Sequence, residues 1–388
     1  MRKFFLLIVI IGFVSCKNEH TNKRKISLAE GKISAMIPQK LSIHFTDDVY
    51  DRLDEFLQPA FYVKLDNTPL LAGIKDIHIV YDRIYVWDAM SRIVCYNMNG
   101  KMLFQIDAKG QAPGEYVAIN AFTVNENLRE LVIYDNARLS LLFYSSENGR
   151  FLRSKKLEKP SLTEMACWQG YFFYNNRFHR NYQEDHSLHY SLLCSRDGFN
   201  MDRRYFAHDE AEEAYVFSPS RHTFHDNYSK LYYCRNFDNI VYQLHEDSVI
   251  PRFQIDLPNP LPLSAIEQKR QEIELIKSGY SLGLTDIYES NDLLYFRFIK
   301  GGFFMSCLYD LKNDREICCS KSVKHQSSSF FDIVNGVYKD FFYSVLSPDY
   351  IAYTLSKSKG KYPDIFDDFD EQNDNPYIGF YKVLMSDK

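Results

Sequence analysis

The chain alternates short apolar runs with polar turns. Residues 84–106 read IYVWDAMSRIVCYNMNGKMLFQI and residues 131–155 read LVIYDNARLSLLFYSSENGRFLRSK. Both hold an apolar strand ending in Asp, a polar turn, a second apolar strand, an Asn-Gly turn and a third strand. Asp88 aligns with Asp135 and Gly100 with Gly149. Asn-Gly between alternating apolar runs is a strong hairpin signal, because both turn residues need positive φ. Weaker copies follow: YFFYNN at 171–176 with SLLCSRDGF at 191–199, LYYCRNFDNIVYQLHEDSVIPRFQI at 231–255, LLYFRFIKGGFFMSCLYDLKNDREICCSK at 293–321 and FFYSVLSPDYIAYTL at 341–355. The copies begin near 84, 131, 171, 231, 293 and 341, a spacing that suits four-stranded propeller blades. The pattern predicts an all-β fold, a six-bladed β-propeller. FYVKLD at 61–66 is expected to close the ring beside YIGFYKV at 377–383, which removes an open sheet edge.

One segment departs from strand patterning. Between Ser264 and Ser278, Ser264 and Glu267 form a capping box, Ile266, Ile273 and Ile276 give a partial helical stripe, and Gly279 follows. This predicts a short helical insertion between the fourth and fifth blades.

The N-terminus has a different logic. Arg2 and Lys3 precede an apolar run from Phe4 to Val14, then Ser15 and Cys16. That is a positive region, a short hydrophobic region and a small residue at a cleavage point. The run is about half of the ~20 residues a spanning helix needs. Phe13-Val14-Ser15-Cys16 resembles the lipobox of bacterial lipoproteins, although Phe13 stands where that family prefers an aliphatic residue. The resemblance implies a diacylglycerol thioether on Cys16, cleavage before it and acylation of the new N-terminus. The division expected is residues 1–15 as signal peptide, 16–38 as lipidated flexible tether and 39–388 as the propeller. The tether expectation rests on a polar, basic stretch with few large apolar groups.

Composition narrows the function. The formal charge of −5 becomes −7 once Arg2 and Lys3 leave with residues 1–15, so no nucleic-acid footprint is present. The 29 Tyr and 30 Phe favour strands over helices. With Cys16 lipidated, Cys95, Cys167, Cys194, Cys234, Cys307, Cys318 and Cys319 remain. An odd, irregular set without a CxxC pair gives neither a disulfide framework nor a zinc motif. Buried free thiols are expected, with Cys318 and Cys319 on opposite faces of one strand. No metal or cofactor is expected.

The stretch from Pro69 to about Lys156 resembles the six-bladed β-propeller lipoproteins common in Bacteroidota. YVWDAMSRIVCYN, the turn NMNGKML and the loop KGQAPGEY from Lys109 to Tyr116 carry the likeness. The family loop runs Gly-Pro-Gly-Glu-Tyr, and here Ala112 replaces the first glycine. NDNPYIGFYKV at 373–383 is similar to the family's closing strand. The resemblance implies a propeller, export and lipid anchoring, and supplies no reaction and no catalytic set.

Four motifs invite chemistry. Gly279-Tyr280-Ser281-Leu282-Gly283 matches a nucleophile elbow in letters, but the elbow needs a strand before the serine and a helix after it, and here the order is reversed. A helix end and turn is the favoured reading. His179, His186, His189, His208, His222 and His225 cluster in polar segments, where loop roles are expected rather than metal ligation. The acidic run Asp364, Asp367, Asp368, Asp370, Glu371 and Asp374 lacks the glycine of a calcium loop and reads as a solvated connection. Lys109, Glu115 and Tyr116 are the candidate ligand-binding residues, on a loop expected either to join blades or to line the channel mouth.

Loops gathered from every blade around one axis suit recognition. The expectation is a monomeric binding module, anchored to a membrane through Cys16 and offering a propeller face to a glycan, a peptide or an envelope protein. It would be an outer-membrane lipoprotein on the surface or periplasmic side, with Lys17 after the lipid cysteine fitting that sorting. The alternatives are a lyase or hydrolase at the channel mouth, favoured by a converging acid, base and cation, and an envelope-complex scaffold.

Overall fold

The computed structural model describes residues 29–44, 53–157, 162–176, 189–208, 222–235, 238–262, 264–265, 272–321 and 330–384. Six sheets follow in chain order. Blade 1 is built from Ile74–Val80, Arg83–Asp88, Ile93–Asn97 and Met102–Ile106. Blade 2 uses Ala121–Asn125, Glu130–Asp135, Ser140–Ser145 and Phe151–Lys156. Blade 3 uses Leu162–Trp168, Tyr171–Asn176, Tyr190–Ser195 and Arg203–Ala207. Blade 4 uses Phe224–Asp226, Leu231–Cys234, Ile240–Leu244 and Ser248–Asp256. Blade 5 uses Ser281–Ser290, Leu293–Lys300, Phe303–Asp310 and Arg315–Lys321. Blade 6 uses Gly336–Tyr338, Phe341–Leu346 and Tyr377–Val383, and takes Leu57–Lys64 as its outer strand.

The six repeat starts fall on the second strand of each blade. These strands read as apolar runs because both of their faces are covered by neighbouring blades. Ile84, Val86, Leu131, Ile133, Tyr295 and Phe296 are all fully buried. Buried side chains of adjacent blades interdigitate: Tyr85, Cys95, Phe122, Leu131 and Leu142 pack together between blades 1 and 2. The ring closes as expected, with Lys64 opposite Tyr377 and Phe61 opposite Phe380 in an antiparallel pair.

The aligned aspartates have a structural role. Asp88 and Asp135 are fully buried at the ends of equivalent strands. Asp88 accepts from the Arg92 backbone N–H and from Arg92 Nε, each at 2.9 Å. Asp135 accepts from the Val117 N–H at 2.8 Å. Asp88→Ala leaves Arg92 without its carboxylate, and chemical denaturation should read a loss of about 3 kcal/mol. Asp88→Asn keeps part of the cap and should lose less.

Three expectations are corrected. Residues 16–38 are not all free tether: Ala29–Glu30 pairs in parallel with Arg203 and Arg204 at the outer edge of blade 3, and Lys32–Ile33 with Ser248 and Val249 of blade 4. Gln39–Ser42 then adds beside Phe253–Asp256. An exposed strand edge offers unpaired N–H and C=O groups to any extended chain, and a polar sequence can take them up. The signal peptide and Cys16 lie outside the described residues. Second, FFYSVLSPDYIAYTL is not a strand pair. Phe341–Leu346 is a strand, but Pro348–Lys357 is a helix that buries Tyr350, Ile351 and Thr354. Pro348 sits at the helix start, where its missing N–H costs nothing, and Asp349 suits the first turn. Third, Cys307 and Cys319 face each other across adjacent strands of blade 5 and are bonded as a disulfide. Cys318 and Cys319 do point to opposite sides, one into each flanking core.

The expected insertion between blades 4 and 5 is helical at Glu272–Lys277, followed by Gly279 at φ 73°. None of the helices among the described residues is long and apolar enough to cross a membrane.

Candidate functional site in the central channel

Up-and-down strand order gives the ring two unlike faces. The connections from first to second and from third to fourth strands are tight turns such as Tyr81–Asp82 and Asn291–Asp292. The connections 177–189, 208–223, 257–280, 322–335 and 347–376 all join strand ends on the other face. The innermost strands run from the long-loop face to the short-turn face around the axis.

Ionisable side chains from five blades meet along this axis. Toward the long-loop end, His78 Nε2 lies 3.3 Å from Asp76 Oδ2 on blade 1. His222 Nδ1, just before the first strand of blade 4, lies 3.3 Å from Glu164 Oε1 of blade 3, which also accepts from the Thr223 N–H at 2.7 Å. On blade 5, Arg297 donates to Asp286 at 3.0 Å and stacks over Phe304. Toward the short-turn end stand Asp226 of blade 4 and Glu126 of blade 2, which repel one another.

These contacts set the protonation states. Burial acts to lower the His222 pKa, but the hydrogen bond and charge of Glu164, with Asp76 and Asp286 beyond, raise it to about 10. Burial likewise opposes charge on His78, and Asp76 outweighs it and raises the pKa. His225 is the opposite case: burial, then the charge of His222, hold its pKa well below 6.5. Burial raises Asp286, against the pull of Arg297 and His222. Burial also raises Asp226 and Glu126, and their mutual repulsion adds to the rise at Glu126.

The two histidines therefore give stability opposite pH dependences. A folded pKa above the unfolded value of about 6.5 makes the His222 contribution complete below that pH and lost as pH rises toward about 10. A depressed folded pKa makes the His225 contribution complete above about 6.5 and lost as pH falls. The His222 side chain keeps 41 % exposure to the channel, so water screens its share. Thermal melts against pH should show a flatter alkaline limb in His222→Gln and a flatter acid limb in His225→Gln.

Some of the buried polar groups without partners lie on the innermost strands, others elsewhere in the blades. Among the described residues, Asn125 Nδ2, both ring nitrogens of His225, Thr285 Oγ1 and Ser290 Oγ find no hydrogen bond. They lie on the innermost strands of blades 2, 4 and 5. Native proteins leave few such groups unpaired, and water or a ligand is the usual partner.

The candidate loop has another role. Tyr116 is fully buried and donates to Ser91 O at 2.8 Å. Glu115 accepts from the Ala112 N–H, and Lys109 donates to Met90 O, each at 2.8 Å. This fastens blade 1 to blade 2, and a fully buried Tyr116 has no surface for a ligand. Ser281 is also buried, at the start of a strand, and its hydroxyl donates to Pro258 O, so no nucleophile elbow forms there. Asp374 of the acidic run accepts from Lys64 at 2.8 Å and Asn67 at 2.7 Å, bracing the closing strand. Of the clustered histidines, His222 and His225 reach the channel strands, His208 lies 3.0 Å from Asn176 O, and His179 and His186 fall outside the described residues. No group of three or more His, Cys, Asp or Glu among the described residues is placed to hold a metal.

The channel residues left a faint sequence signal. Asp76 and His78 interrupt the apolar run IKDIHIV at alternate positions. Such polar alternation in an otherwise apolar strand marks a side that faces neither neighbouring blade.

The model of a family described as a domain of unknown function, DUF4934, matches residues 41–382. No curated protein matches. Among solved structures, the chain is similar to a protein of Bacteroides fragilis NCTC 9343 described as exported, at 18% identity and TM-score 0.71. That match covers 90% of this chain and all of the other. A DUF4221 member from Bacteroides vulgatus matches at 11% identity and TM-score 0.50, over 85% of this chain and 99% of that one. At these identities the likeness is one of fold.

Proposed function

We propose that this chain, which belongs to the DUF4934 family, is a lipid-anchored module of the cell envelope that binds a polar ligand in its central channel. The observation that carries the reading is the convergence of Asp76, Glu164, His222, Asp286 and Arg297 on one axis, beside buried polar groups that the protein leaves without partners. Fixed, mutually oriented charges in a concave site give orientation and specificity to a bound polar group. The lipobox-like Cys16 and the likeness to a protein described as exported support an envelope location, and the residue after Cys16 fits the outer membrane.

Two measurements test this reading. Labelled palmitate should enter the wild-type protein and not Cys16→Ala, which should move from membrane to soluble fractions; equal labelling of both discards the anchor. A screen of envelope glycan and peptide fragments should find a ligand whose affinity falls roughly tenfold or more in Glu164→Gln, the loss of one charged contact being worth ~1.4 kcal/mol or more. A ligand insensitive to that change binds elsewhere.

A second reading, a lyase or hydrolase, is favoured by one observation. Glu164 holds a protonated His222 close to the Asp286–Arg297 pair, which brings a proton donor, a carboxylate whose pKa burial raises and a cation together, as general acid–base catalysis requires. Turnover of the bound ligand, abolished in His222→Gln while binding persists, would select it.

A further inference from the structure

The short-turn mouth of the channel differs chemically from the long-loop end. Tyr81 and Tyr228 occupy the inner turns of blades 1 and 4 and are 65% and 50% exposed. Tyr228 meets the Tyr338 ring of blade 6 edge-on, with centroids 6.0 Å apart. The Tyr338 hydroxyl donates to Asp82, the neighbour of Tyr81. Tyr81 stands beside Glu126, Glu126 faces Asp226, and Asp226 accepts from the Tyr228 N–H at 3.0 Å. Three phenol rings and three carboxylates thus follow one another around the opening.

The charges around the opening are unevenly met. Asp82 has Lys339 at 3.1 Å. Lys339 also stands 4.7 Å over the Tyr338 ring, so one cation of the protein already uses a ring and a carboxylate together. Glu126 and Asp226 have no Lys or Arg partner among the described residues, and the imidazole that faces Asp226, His78, is already held by Asp76 at 3.3 Å. The deeper carboxylates each have a basic one: Asp76 has His78, Glu164 has His222 and Asp286 has Arg297. The backbone adds a further sign. Tyr81 and Tyr228 hold φ of 49° and 59°, a left-handed conformation uncommon for bulky residues, at turn positions where Asn or Gly is the ordinary choice.

We propose that the Tyr81–Glu126–Asp226–Tyr228 side of this mouth binds an organic ammonium group, the head of a polyamine or of a lysine side chain. A cation over a tyrosine face gains about 0.5–2 kcal/mol, and here two carboxylates supply the countercharge. Burial disfavours the ionised form of both, the charge of Asp226 adding to this at Glu126 and His78 offsetting it in part at Asp226, so an incoming cation relieves a standing cost. An uncharged sugar would use the rings but would leave the two carboxylates facing each other. The inference rests on the channel-binding reading and assigns its ligand a charge and an end of the channel.

Calorimetry on the full-length protein as isolated from producing cells, with spermidine, trilysine and fully acetylated trilysine, tests it. The amine probes should bind and the acetylated peptide should not. Affinity should weaken roughly tenfold in Asp226→Asn and in Glu126→Gln, and several-fold in Tyr228→Ala, with Tyr228→Phe retaining most of it. Glu126→Gln lies on an exposed turn, so it keeps the test alive if the Asp226 variant fails to fold. Preference for spermidine points to a free polyamine, and preference for trilysine to a basic peptide. Equal binding of the acetylated peptide, or no amine binding, overturns the proposal. The channel reading then stands or falls separately on whether Glu164→Gln weakens a ligand that Glu126→Gln does not.

Discussion

A chain shortened to begin at Asp66 is expected not to form a folded monomer, whereas one beginning at Lys17 should melt like the full-length chain. The shorter chain lacks Leu57–Lys64, the outer strand of blade 6. Leu57, Val63 and Leu65 are buried, Phe61 stacks on Phe380 with centroids 4.4 Å apart, and Tyr62 packs edge-on against Phe366. At about 1.5–3 kcal/mol for each large apolar side chain, their loss is on the order of 10 kcal/mol, comparable with the ~5–15 kcal/mol stability of a whole domain. The loss also bares Tyr377–Val383 as an open edge, which invites association. A chain beginning at Phe56 should fall between: it keeps the closing strand and loses the segments that cover the outer edges of blades 3 and 4. Gel filtration and circular dichroism of the three chains distinguish these outcomes. A monomer with unchanged melting from the Asp66 chain would show that the ring does not depend on its closing strand.

Gly100→Ala is expected to be the most damaging single methyl addition in the two well-repeated blades. Gly100 holds φ of 80°, and a Cβ there would lie 1.8 Å from the Lys64 carbonyl oxygen. That oxygen belongs to the closing strand and cannot withdraw: Lys64 pairs with Tyr377, and the adjacent Asp66 N–H donates to Gly100 O at 2.8 Å. Conformational strain of about 1–2 kcal/mol plus a backbone collision should total roughly 4 kcal/mol in urea unfolding. Gly149, its counterpart in the second repeat, would meet the ring of Phe104 at 2.6 Å instead. A side chain yields more readily than a main chain, so Gly149→Ala should lose about half as much. Gly73→Ala has no atom within 4 Å of the new carbon and reports the cost of φ alone. Equal losses at all three glycines would show that φ, and not contact with the closing strand, sets the cost.

These experiments divide along the line between what was legible in the sequence and what was not. The second strand of every blade was readable, because a strand covered on both faces reads as an apolar run, as LVIY at 131–134 and LLYF at 293–296 do. The Asn-Gly turns were readable because positive φ restricts residue choice. The aligned Asp88 and Asp135 were visible as a repeat, though their shared role as buried caps was not.

The innermost strands were not readable. Phe224–Asp226 and Gly336–Tyr338 have three residues each, too few for a period to register. Their polar side chains look like loop residues until the ring places them on one axis. The docking of Ala29–Glu30 and Lys32–Ile33 was hidden for a related reason: an added edge strand draws its energy from main-chain hydrogen bonds, which any polar sequence can supply. The helix Pro348–Lys357 was misread because Tyr, Ile and Thr favour strands by propensity, and tertiary packing overrode that preference.

The sequence by itself determined the number of blades and the closing strand, since each is written as a local pattern of apolar and turn residues. Only the tertiary structure decided the candidate site. Asp76, Glu126, Glu164, His222, Asp226 and Asp286 come from five blades and lie far apart along the chain. Their pairing, repulsion and burial arise from closing the ring, which no local pattern encodes.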